Sequence, residues 1–181
     1  MVAMAIAGGL TLGVAGCGGG GSDDKKPHAS ASASKRTGSE PSPQEGQSDK
    51  PLAELKGPSG LLLQITSTQR DSGGFVTVSG TLKNDSGSAV IIPSNVRGNE
   101  TEIIRNGSSL GGATLVDTKG KKRYYVLRDT DGRPLTTTGL TSLKAGQECP
   151  VFMQFPTPPT ATTQVGFQLP GFPMATIQIS G

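Results

Sequence analysis

A chain of 181 residues carries 17 Lys and Arg against 14 Asp and Glu, a net charge of +3, with 27 Gly, 13 Pro, no Trp and a single histidine, His28. His28 stands in a run of Ala and Ser far from any apolar stretch, so Ser-His-Asp and Cys-His constellations and histidine-containing zinc sites are excluded. The aromatic residues Phe75, Tyr124, Tyr125, Phe152, Phe155, Phe167 and Phe172 all lie in the C-terminal two thirds, so the core must form there, over a length typical of one domain.

Residues 1–16, MVAMAIAGGLTLGVAG, carry no charge and read as the apolar region of a secretion signal. They are shorter than the roughly 20 apolar residues that a membrane-spanning helix needs. No Lys or Arg precedes the run, although export signals carry one, and the expectation is that the true start codon lies upstream. The residues Val14-Ala15-Gly16-Cys17 resemble the lipobox of bacterial lipoproteins, with Val14 where leucine is usual. The resemblance implies cleavage between Gly16 and Cys17 and diacylglyceryl attachment to the Cys17 thiol. Two acyl chains give a stable anchor, because each buried methylene contributes about 0.8 kcal/mol.

From Gly18 to about residue 59 the chain is Gly-rich, then Asp/Lys, then HASASASK, then Ser/Pro/Gln. Six basic residues balance six acidic ones here (Lys25, Lys26, Lys35, Arg36, Lys50 and Lys56 against Asp23, Asp24, Glu40, Glu45, Asp49 and Glu54). With little apolar surface to offset ordering entropy, residues 17–59 are expected to form a lipidated, disordered tether. A flexible coil of about 40 residues has a root-mean-square span on the order of 35 Å.

From residue 60 the apolar pattern takes period two. Leu61, Leu63 and Ile65 alternate, as do Val76, Val78 and Leu82, then Val165, Phe167 and Leu169, then Ala175, Ile177 and Ile179. Ala89 to Ile92, Ala113 to Asp117, Arg123 to Arg128 and Cys149 to Phe155 are further strand candidates, separated by the turns DSGG, NDSGS, DTKG, DTDG and KAGQ. No segment shows a helical apolar period. Roughly seven to nine short strands over residues 60–181 predict an all-β domain, an immunoglobulin-like antiparallel β-sandwich, with a closed barrel as the rival.

Lys119, Lys121, Lys122 and Arg123 place four positive charges within five residues, more than the whole net charge. The basic balance therefore marks one turn and no broad nucleic-acid face. This turn reads first as a solvated hairpin whose lysines discourage edge pairing, and second as a contact for an anionic polymer or lipid head groups. Asp71, Asp85, Asp117, Asp129 and Asp131 are expected to be turn formers. Asp129-Thr130-Asp131-Gly132 begins like a calcium loop but lacks the later acidic ligand, so no metal and no cofactor is expected. Cys149 shares an alternating face with Val151, Met153 and Phe155 and is expected to be a small, unpaired, buried residue. The prolines of FPTPPT are expected to shape a crossover between strands.

The lipobox, the Ser/Pro-rich tether and the strands VTVSGTLKN, KAGQECPVFMQFP and ATIQIS together resemble surface lipoproteins of Gram-positive actinobacteria. Those proteins carry an immunoglobulin-like extracellular domain of the type labelled telomeric-repeat-binding-factor-like. The resemblance covers roughly residues 60–181 and implies a non-catalytic binding or scaffold module on the outer face of the cell membrane. Its partners would be another envelope protein or a cell-wall polymer. GGATLVDTKGKKRYYVLRD is also similar to the region that precedes peptidoglycan-binding domains in some envelope proteins, which gives an accessory role in cell-wall binding as the alternative. A hydrolase using carboxylates is the competing class.

Overall fold

The computed structural model describes residues 50–181, and these fold into two four-stranded antiparallel sheets with a small third ladder. In chain order the strands are β1 (Ala53–Lys56), β2 (Leu61–Arg70), β3 (Phe75–Asn84), β4 (Val90–Ile91), β5 (Thr114–Asp117), β6 (Lys122–Tyr125), β7 (Ser142–Leu143), β8 (Glu148–Pro156), β9 (Gln164–Gln168) and β10 (Ala175–Gln178). One sheet has the order β1-β2-β3-β8 and the other β10-β9-β5-β6, while β4 pairs with β7. The chain leaves the first sheet after β3, returns to it for β8 and leaves again for β9. This places β3 beside β8 and β5 beside β9, the interleaved pairing of an immunoglobulin-like sandwich.

The inward side chains of both sheets meet in one core, in which Leu63, Val78, Met153 and Phe155 from the first pack with Leu115, Phe167 and Ile177 from the second. Alternation along β3 is strict: Val76, Val78, Gly80, Leu82 and Asn84 are buried and the residues between them are partly exposed. Gly80 occupies its core-side position because β2 bulges there. Ile65 pairs with Gly80 and Ser67 with Ser79, so Thr66 is the extra residue. A Cβ on Gly80 would fall 2.0 Å from the Gln64 carbonyl oxygen.

The sandwich starts earlier than residue 60, where the sequence pattern first turns to period two. Ala53–Lys56 pairs with β2, and Leu55 is fully buried, so residues 53–59 belong to the fold and not to a tether. Phe172 covers Gly57, where an added Cβ would lie 2.4 Å from the ring. The expected strand from Arg123 to Arg128 ends at Tyr125, after which the chain crosses to the free edge of β8. There the Leu127 amide donates to Gln154 O (2.8 Å), the Gln154 amide to Leu135 O (3.0 Å) and the Thr137 amide to Phe152 O (3.1 Å). The segment covers what would otherwise be an open strand edge. A five-residue helix, α1 (Thr101–Arg105), is the one α-helical turn among the described residues, and no helix there is long and apolar enough to cross a membrane.

After β8 the FPTPPT stretch does form the crossover to β9, and Arg70 holds it. Its guanidinium donates to Thr157 Oγ1 (3.0 Å) and to the carbonyls of Pro158 (2.6 Å), Pro159 (3.1 Å) and Thr162 (2.7 Å). Prolines lack an N–H and so interrupt strand pairing, and the guanidinium fork donates to carbonyls along the interrupted stretch.

Candidate functional site

The basic residues predicted from sequence sit at the β5–β6 hairpin, and local chemistry fixes its turn. Asp117 Oδ1 accepts the Gly120 amide at 2.8 Å, and Thr162 Oγ1 donates to Asp117 Oδ2 at 3.0 Å, which ties the turn to the crossover. Gly120 is needed because a Cβ there would lie 2.6 Å from Asp117 Oδ2. Lys121 adopts φ +52°, a left-handed conformation uncommon for a residue with a Cβ. The turn thus holds a lysine where glycine would be easier, and such outliers concentrate at functional positions.

Strand pairing orients the rest. Val116 faces Arg123 and Thr114 faces Tyr125, so Arg123 and Tyr125 point outward from the second sheet, whereas Tyr124 lies opposite the buried Leu115 and packs on the core. Burial pushes the Tyr124 hydroxyl's pKa up; the Asp117 charge adds to this and Arg70 opposes it. Lys119, Lys121, Lys122 and Arg123 are all exposed. Among the described residues, ion pairs engage Lys83 with Asp85 and Glu148, Arg128 with Glu100, and Arg133 with Asp129 and Asp131, but none of the four turn cations.

Asp117 is buried beneath them, and its carboxyl is held below the ordinary 3.8, chiefly by the Gly120 amide; burial opposes this, and the Thr162 hydroxyl and the Lys122 charge assist it. A carboxyl with a depressed folded pKa contributes stability that is complete above the unfolded value and is lost as pH falls through the folded one. The thermal midpoint of the native chain should therefore exceed that of Asp117→Asn by most above about pH 4, and the gap should shrink toward pH 2. A gap independent of pH in thermal melts would show that Asp117 acts only through its shape.

The remaining sequence-predicted residues are not gathered here. Gly16 and Cys17 lie outside the described residues, as does His28. Asp71 accepts the Gly73 amide in its turn, and Asp129 accepts the amides of Asp131 and Arg133. Arg133 also pairs with both Asp129 and Asp131, and no group of three potential metal-ligating side chains occurs among the described residues. Cys149 is a free thiol, half-buried on the face of Val151, Met153 and Phe155, with Sγ 3.6 Å from the Pro150 carbonyl oxygen.

Sequence reasoning missed what lies beside the turn. A groove of about 580 Å³ runs along the outer face of β9 and β10, with Asp117, Lys119 and Gly120 at one rim and Met174 and Thr176 on the opposite wall. Its signal was the glycine at position 166, at an outward position of a strand that otherwise alternates cleanly. No protein-family model matches this chain, and neither a search of curated proteins nor one of solved structures finds a match.

Proposed function

We propose that the chain is a lipid-anchored module of a bacterial cell envelope that binds an anionic component outside the membrane and carries out no catalysis. The observation that carries the binding half is the set of four exposed cations, Lys119, Lys121, Lys122 and Arg123, without ion pairs among the described residues and presented by a turn braced through Asp117. A cluster without ion pairs keeps its field available to a partner, whereas Lys83, Arg128 and Arg133 are paired with neighbouring carboxylates. The anchoring half rests on Val14-Ala15-Gly16-Cys17, whose thiol takes the lipid on this reading.

Two measurements test it. Cells expressing the native chain should incorporate labelled fatty acid into it, and Cys17→Ala should incorporate none; labelling of the variant would refute the anchor. The native chain should also be retained by isolated cell envelopes with a steep inverse dependence on salt. Changing all four turn cations to Gln should reduce that retention about tenfold or more. Equal retention by the variant would refute the role of the turn.

A further inference from the structure

We infer that the groove beside the basic turn is a binding site for a linear polyol polymer joined by phosphodiesters. This deepens the reading of the turn as an anion-binding element and rests on it. The register places Thr176, Gly166, Val116 and Arg123 in one row across the outer face of the second sheet. Gly166 is the gap in that row. A Cβ there would approach Met174 Sδ to 3.1 Å and the Val116 carbonyl oxygen to 3.7 Å, so the missing side chain lets Met174 lie against the sheet and keeps the floor of the groove low. Met174, 58% exposed, forms part of the wall.

The lining defines the ligand. Hydroxyls of Thr118, Thr163 and Thr176 and the amides of Gln164 and Gln178 offer neutral donors and acceptors, which suit a chain of hydroxyl groups. The ionisable groups in the lining are Lys119 and Asp117, and Asp117 is only 4% exposed with both oxygens already accepting hydrogen bonds. A ligand therefore meets positive charge at the rim from Lys119, with Lys121 next on the same turn and Arg123 at the end of the row, whereas Lys122, opposite Asp117, shares the face of Tyr124. Three of these four are lysines, which bind phosphates as compact point charges and need no fork-to-fork alignment.

Other occupants fit less well. No aromatic ring lines the groove to stack a base, which disfavours single-stranded nucleic acid. The tip, Thr118 to Lys122, offers no apolar side chain for a bilayer to take up, and the groove is recessed where a membrane is flat.

Isothermal titration of the full chain with poly(glycerol phosphate) tests the inference, with neutral polyglycerol, a polyuronate, single-stranded DNA and phosphatidylglycerol vesicles as comparison arms. Poly(glycerol phosphate) should bind most tightly and neutral polyglycerol not at all. Gly166→Leu fills the floor, and Thr176→Glu adds a repelling charge at an exposed position without disturbing packing. Each should weaken poly(glycerol phosphate) binding about tenfold or more while leaving any association with vesicles through the turn unchanged. Thermal melts establish that both variants fold, and Thr176→Glu suffices if Gly166→Leu does not. If polymer binding is lost on changing the four turn cations but survives Thr176→Glu, the turn reading stands and the groove inference falls. Preference for the polyuronate or for DNA, or no binding of poly(glycerol phosphate), also overturns it.

Discussion

Gly80→Ala is expected to cost the domain at least ~3 kcal/mol, measured as a shift in the midpoint of denaturant unfolding with unchanged slope. One methyl group has this effect because of where it would point. Gly80 lies on the core side of β3, opposite the bulge in β2, and the added carbon would sit 2.0 Å from the Gln64 carbonyl oxygen and 3.1 Å from Ile65 Cα. The obstacle is backbone, which cannot swing aside as a long side chain can. β3 is also flanked on both sides, by β2 and β8, so neither neighbour can retreat without breaking a ladder. Ser79→Ala, one residue away and facing outward, should change stability by no more than about 0.5 kcal/mol. Equal effects from the two would mean that the bulge is not the constraint.

Asn84 should rank next. Its side chain is fully buried at the end of β3, where its amide nitrogen donates to the carbonyls of Ser88 (2.7 Å), Leu143 (3.0 Å) and Lys144 (3.1 Å). Its oxygen accepts the Ser86 amide (2.9 Å) and hydroxyl (2.7 Å). One side chain thus joins the turn after β3 to the end of β7. Asn84→Ala leaves several of these groups without partners and should cost about 3 kcal/mol in denaturant unfolding. Asn84→Asp is more informative. At neutral pH it turns a carboxylate toward three carbonyl oxygens, and burial raises its folded pKa above the unfolded value of about 3.9. The protonated form is then favoured in the folded state, so the deficit against the native chain is smallest at low pH and grows as pH rises through the raised pKa. A deficit that is flat with pH would mean that the carboxylate reaches solvent.

Both positions were half legible in the sequence. The alternation of Val76, Val78 and Leu82 fixes the facing of β3, and carrying it onward puts 80 and 84 inside, yet a glycine and an asparagine there break the apolar pattern. Both breaks are long-range in cause: one answers a bulge in β2 and the other two carbonyls at the end of β7, Leu143 and Lys144. The strands β9 and β10 announced themselves through unbroken alternation, and the sandwich followed from their number and spacing. β1 did not, because Leu55 is its one large apolar residue and period cannot be read from one point. Helix α1, at five residues, is shorter than two turns and shows no period either. At the site, the four cations were visible as a charge run. The groove was not, since it exists only once Gly166 is placed between Val116 and Thr176 by pairing across three strands.

Two supports beside that groove answer acid differently. The crossover is clasped by Arg70 through carbonyl dipoles and one hydroxyl, with no carboxylate in the set. The hairpin side depends on Asp117 remaining ionised to hold the Gly120 amide and the Thr162 hydroxyl. Acidification therefore slackens one jaw and leaves the other clamped.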